Sequence, residues 1–256
     1  VVPITPMPIP AGEVRAGLGV MIAGGTFDPP HRAHVGLALA AREAVGKRVG
    51  GGGGGGGEPW LMLVPAARSP HKAKGPAASD AERVEMARLA LEGVARASVW
   101  SDEVDRARVE GGPSFTVETL RRARAWLDGA RGKQASARDE GGRGLRLMLL
   151  MGADQAVEFH RWREPGEILA LAEPVVVLRE PWGTRGALEA ALRASGALSE
   201  TEVERMMGGV VEVPLRTEAA RDVRAWLASG EVEKAARALH PAVARYIAER
   251  GLYRGE

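Results

Sequence analysis

The stretch Gly24-Gly25-Thr26-Phe27-Asp28-Pro29-Pro30-His31-Arg32-Ala33-His34 concentrates the residue types that can handle an anion. Two adjacent glycines let a backbone approach a phosphate closely, and His31 and His34, three residues apart, share one face of a helix. The apolar run at 20–23 precedes them and the alanine-rich segment at 35–44 follows, so the pattern reads as strand, tight turn and helix start. A helix start offers unpaired N–H groups and a partial positive charge. Together these parts make a place that receives phosphate.

Composition narrows what such a site serves. The 256 residues, 45% of them hydrophobic, suffice for one α/β domain with a sizeable core. Net charge is only +2, and the basic residues are scattered among Asp and Glu, so no block resembles a nucleic-acid-binding arm. Phosphate-bearing small molecules are the expected partners, with no nucleic acid and no membrane. The absence of cysteine excludes disulfides, thiolate metal sites and cysteine nucleophiles, and accords with a cytoplasmic location. No apolar run approaches the ~20 residues that cross a bilayer. The first residues, rich in proline, lack the order of a signal peptide and read as a loose extension.

The elements that must carry the site follow from periodicity and punctuation. Residues 1–19 form a lead-in and 20–256 the main domain. A strand at 20–23 feeds a helix reaching about Val45, and the glycines 50–57 read as a flexible loop insertion. A second strand at 60–64 is followed by a loop holding His71 and Lys72. Ser79 and Glu82 form a capping-box pattern that opens a helix at 81–91. A third strand at 97–100 leads into 102–110, read as a charged connector. The helix that starts after Pro113 turns Leu120, Ala123 and Leu127 inward. Residues 128–144 read as an exposed loop, 145–151 as the central strand buried on both faces, and 174–178 as the next strand. A charged insert at 180–209 with one or two helices, a last strand at 210–213 and a helical C-terminal part at 218–253 complete the chain.

The turn stretch closely resembles the G-G-T-F-D-P-P-H-x-G-H signature of bacterial nicotinate mononucleotide adenylyltransferases, in the nucleotidyltransferase superfamily; Ala33 replaces the signature's last glycine. Four further segments occur in the family's order. Pro70-His71-Lys72 with Glu82-Arg83-Val84-Glu85-Met86 is similar to its P-H-K loop and E-R-x-x-M helix. Pro113 to Leu120 is similar to P-S-Y-T-x-D-T-L, with Phe115 for Tyr and Glu118 for Asp. Gly152-Ala153-Asp154 with Trp162 resembles its G-A-D loop and downstream tryptophan. The family's I-S-S-T-x-I-R segment aligns with Glu218 to Arg224, where Ala219, Ala220 and Arg221 replace Ser, Ser and Thr.

The resemblance implies a Rossmann-like, doubly wound, mostly parallel sheet with a small helical C-terminal subdomain. It also implies transfer of the AMP unit of ATP to nicotinate mononucleotide in NAD biosynthesis. On that basis His31 and His34 hydrogen-bond the phosphates of ATP, joined by the backbone of Gly25, Thr26 and Phe27. Arg224, with Arg221 in place of the threonine, holds the leaving group. Lys72 reaches the phosphate of the mononucleotide, Thr116 lies near the nicotinate carboxylate, Asp154 contacts a ribose and Trp162 stacks on the pyridine ring. Arg83 braces the loop. Magnesium arrives with ATP, because no cage of carboxylates is apparent. Nothing in the chain bars a homo-oligomer.

Bland roles stand beside these. Ser114 and Thr116 suit helix caps, Trp162 suits core packing, and His71 and Lys72 suit a solvated basic loop. A transferase for nicotinamide mononucleotide or phosphopantetheine, or a nucleotide-binding homologue with weakened catalysis, stays open because the hydroxyl cluster and one glycine are altered.

Overall fold

The computed structural model describes residues 3–14, 17–50, 57–68, 75–133, 144–214 and 218–254. Six strands form one sheet in the order β3-β2-β1-β4-β5-β6. They are β1 (Gly19–Gly25), β2 (Trp60–Pro65), β3 (Ala97–Val99), β4 (Arg146–Gly152), β5 (Glu173–Val177) and β6 (Val210–Val211). Every ladder is parallel, so the sheet is more uniform than the expected mostly parallel one. β1 and β4 sit side by side at the centre, where the strand order reverses, and an open α/β sheet of this kind binds ligands beyond the carboxyl ends of those strands.

Alternation along β1 divides the core. Val20 and Ile22 face one layer, with Leu120, Ala123 and Leu127 of α4 (Thr116–Lys133). α5 (Ala153–Val157), α6 (Pro165–Leu171), α7 (Arg185–Ala194) and α8 (Glu200–Gly208) add to that layer. Met21 and Ala23 face the other, built from α1 (Arg32–Gly50), α2 (Asp80–Ala90), α9 (Ala220–Ala228), α10 (Val232–Ala238) and α11 (Pro241–Arg250). The C-terminal helices thus share a core with α1 and α2 through Val223, Leu239, Val243 and Ile247. Residues 180–209 hold two helices, α7 and α8, whose Leu188, Leu192 and Met206 are fully buried.

Three expectations are corrected. The lead-in is packed, not loose: Met7, Ile9, Val14 and Leu18 join the core, and the Trp100 indole donates to the Thr5 carbonyl at 2.8 Å. Residues 102–110 are a helix, α3 (Asp102–Glu110), with acids in its first turn and Arg108 in its last. Its inward face is charged, so apolar periodicity missed it; Asp102 pairs with Arg122, and Arg106 with Glu118. Finally, α4 extends to Lys133, past the predicted loop start at 128. The glycines 51–56 lie outside the described residues. Among the described residues, no helix is long and apolar enough to cross a membrane.

Candidate active site

β1 delivers the glycine turn to the carboxyl edge of the sheet. A Cβ on Gly25 would sit 3.1 Å from the Phe27 ring, so a larger residue here would have to push that ring aside. Phe27 is buried and held at φ 49°, a left-handed conformation that a bulky side chain rarely adopts and that marks functional turns. Arg83, fully buried on α2, braces the start of the loop after β2 as expected, donating to the carbonyls of Ala66 (2.7 Å) and, more weakly, Ala67, and it also reaches this bend, donating to the Thr26 carbonyl at 2.6 Å. The capping box of Ser79 and Glu82 that starts α2 is present.

His31 and His34 stack face to face, ring centroids 3.7 Å apart, and the Phe27 ring meets His34 edge-on at 5.9 Å. His31 is buried and neither ring nitrogen has a hydrogen-bond partner among the described residues, which leaves two polar atoms available to a ligand. Burial lowers its pKa to about 4, against the partial opposing pull of Glu218 and Asp222.

That depression has a sign. Between the ordinary imidazole value of about 6.5 and the folded value, the unfolded chain binds a proton that the folded one refuses. Stability therefore falls as pH drops from 6.5, and the loss is complete below about 4. We expect denaturant titrations to show roughly 3 kcal/mol of this loss. A His31→Gln variant should lack that component, and a wild type with flat stability across the window would contradict the assignment.

Two cavities adjoin across Gly24, Leu150 and Gln155. One, of about 380 Å³, is walled by Phe27, His31, Ala33, His34, Asp154, Arg179, Ala219 and Ala220. The other, of about 400 Å³, is walled by Gly25, Thr26, Thr116, Trp162, Arg163 and Glu103. Trp162 is half-buried and packs on Phe159 with centroids 5.4 Å apart, so it serves the core and the cavity wall together. Asp154 pairs with Arg179 at 3.4 Å; a Cβ on Gly152 would fall 2.5 Å from the same Asp154 oxygen, so a larger residue at the end of β4 would displace this pair. Ala33, where the signature has glycine, is accommodated in the wall of the first cavity.

Not every predicted residue converges. Lys72 lies outside the described residues, as does His71. Arg221 is 83% exposed, ion-paired to Asp222 at 3.5 Å, and walls neither cavity. Arg224 is turned onto Asp28, donating to its carbonyl and lying 3.7 Å from its carboxylate. Asp28 is itself a hub that sequence reasoning missed. Its carboxylate accepts from the N–H groups of Ala77 and Ala78 and from the Tyr253 hydroxyl at 2.7 Å, tying the turn to α2 and to the C-terminal segment. Glu103, Thr119, Gln155, Arg161 and Arg163 were also missed as wall residues of the second cavity. The acidic first turn of α3 was the signal for Glu103.

A parallel sheet that reverses its order beside a diglycine turn, with a histidine pair on the following helix, defines a nucleotide-binding α/β transferase. The Cytidylyltransferase-like family matches residues 22–207. A Stenotrophomonas maltophilia protein named a probable nicotinate-nucleotide adenylyltransferase is 35% identical, over 90% of this chain and 95% of its own. A Marinobacter nauticus protein of the same name is 36% identical, over 82% and 86%. The solved Plasmodium falciparum nicotinic acid mononucleotide adenylyltransferase complexed with NaAD aligns with TM-score 0.55 at 11% identity, covering 92% of this chain and 97% of that one. The chain belongs to the nicotinate-nucleotide adenylyltransferase family.

Proposed function

We propose that the protein transfers the AMP unit of ATP to nicotinate mononucleotide, giving nicotinate adenine dinucleotide and pyrophosphate. A 5′-phosphate oxygen of the mononucleotide attacks the α-phosphorus of ATP in line, and the bond to pyrophosphate breaks. The observation that carries this reading is the pair of adjoining cavities sharing Gly24, Leu150 and Gln155, with stacked histidines in one and Trp162 and Thr116 in the other. Two substrates held on either side of one glycine turn meet at their phosphates, and positioning of that kind accounts for a large part of the rate.

The chain's own task is to neutralise charge. His31 and His34 hydrogen-bond phosphate oxygens as negative charge builds, together with the backbone N–H groups of Gly25, Thr26 and Phe27. Thr116, Lys72 and Trp162 hold the mononucleotide, and Asp154 accepts from a ribose hydroxyl. Arg224, released from Asp28, and Arg221 are the cations for the departing pyrophosphate. Among the described residues no three His, Asp or Glu side chains gather to hold a metal, and the Asp28 carboxylate is already occupied by three donors. A magnesium ion brought in by the triphosphate would add to the charge neutralisation that these residues supply.

The test is incubation of the purified chain with magnesium, ATP and either pyridine mononucleotide, following dinucleotide and pyrophosphate. Product with nicotinate mononucleotide and little with the amide supports the reading; ATP binding without turnover of either overturns it. Ala219 and Ala220 wall the histidine cavity. Replacing the three altered positions together (Ala219→Ser, Ala220→Ser and Arg221→Thr) should therefore lower KM for ATP about three- to tenfold by restoring hydroxyl donors. Unchanged kinetics would mean that backbone N–H groups and Arg221 already suffice.

A further inference from the structure

Glu103 is a buried acid in the wall of the second cavity, on a helix to which the reaction assigns no part. Its carboxyl accepts from the Thr119 hydroxyl at 2.6 Å, and the Ser114 side chain is one of the groups that act on its pKa. Thr119 lies in the first turn of α4, so one carboxyl on α3 anchors the start of the helix that carries Thr116 and follows Phe115. The segment is held from two other sides: the Ser114 N–H donates to the Arg68 carbonyl at 3.2 Å, and the Arg163 guanidinium lies 4.7 Å over the Phe115 ring.

We propose that Glu103 is a positioning residue for the mononucleotide half of the reaction, anchoring Thr119 so that Phe115 and Thr116 form one fixed wall of the second cavity. This rests on the reading of that cavity as the mononucleotide site. The physical reason is preorganisation: a wall that must order itself around each incoming ligand loses affinity for it, and the loss falls on that ligand alone. Burial pushes the Glu103 carboxyl above the usual carboxylate range, against the opposing effects of Thr119, Arg106 and Ser114.

The experiment varies each substrate in turn for the full chain and for Glu103→Ala, Glu103→Gln and Thr119→Val, with a thermal melt of each. Glu103→Ala should raise KM for nicotinate mononucleotide about tenfold while KM for ATP stays within about twofold. Glu103→Gln, whose amide oxygen still accepts from Thr119, should recover most of the loss. Adding Thr119→Val to Glu103→Ala should cost nothing further, because the two act as one unit. If Glu103→Ala does not fold, Thr119→Val must show the same one-sided rise in KM. Equal rises for both substrates, or a lower melting temperature with unmoved kinetics, overturn the proposal and make Glu103 a purely structural acid. A wild-type chain that forms no dinucleotide overturns the proposed function and this inference together; a wild type that turns over beside an unaffected Glu103→Ala overturns this inference alone.

Discussion

His34→Ala should lower kcat by about 10²- to 10³-fold, the usual cost of removing one preorganised donor from a developing oxyanion. The ring is exposed on the first turn of α1, stacked on His31 and edge-on to Phe27, so its loss opens no hole in the core. The melting temperature should therefore stay within a few degrees of wild type. KM for ATP should change far less than kcat, since the interaction tightens only as charge accumulates in the transition state. His34→Gln, which keeps an N–H donor, should recover part of the loss. Near-wild-type turnover of the alanine variant would remove His34 from the chemistry.

His31 differs from its partner for a reason that the spacing could not supply. Two histidines three residues apart read as equivalent in the sequence, yet in the folded chain one ring is buried and the other exposed. Position relative to the helix start separates them: α1 begins at Arg32, so buried His31 precedes the helix while exposed His34 stands in its first turn. The fold itself was legible wherever burial was apolar. β1, β2, β4 and β5, the capping box of α2 and the inward face of α4 all announce themselves by periodicity or punctuation. Legibility failed where the packing is polar. α3 buries Asp102, Glu103 and Arg106 against partners on α4 that lie between twelve and twenty residues away, and no window of local periodicity contains that pairing. Asp28 was hidden similarly, its partners lying about fifty and more than two hundred residues along the chain. The lead-in reads as disposable because its prolines break both periods, while its contacts with Trp100 and Asp102 exist only in the tertiary structure.

Arg83 is the place where the polar core and the site meet, and its replacement should have the largest effect on stability. The side chain is completely buried, ion-paired to Asp80, and its guanidinium is shared among the carbonyls of Thr26, Ala66 and Ala67. Those carbonyls belong to the glycine turn after β1 and to the exit of β2, so one side chain ties the two segments together. Arg83→Met fills much of the same volume but leaves the three acceptors without their charged donor, and unmet buried acceptors cost about 1–3 kcal/mol apiece before relaxation. A net loss of about 3–5 kcal/mol is expected, the scale of a broken buried charge network. For a chain of this length that loss lowers the melting temperature by about 10 °C. Arg83→Lys should recover less than half, because one ammonium cannot span carbonyls that a planar fork reaches together. Turnover should fall along with stability, measured well below the melting point, since the Thr26 carbonyl fixes the bend that aims the histidine pair. A stable Arg83→Met variant with normal kcat would show that the glycine turn holds its shape without a brace, and that Phe27, strained at positive φ, is kept there by its own packing against His34.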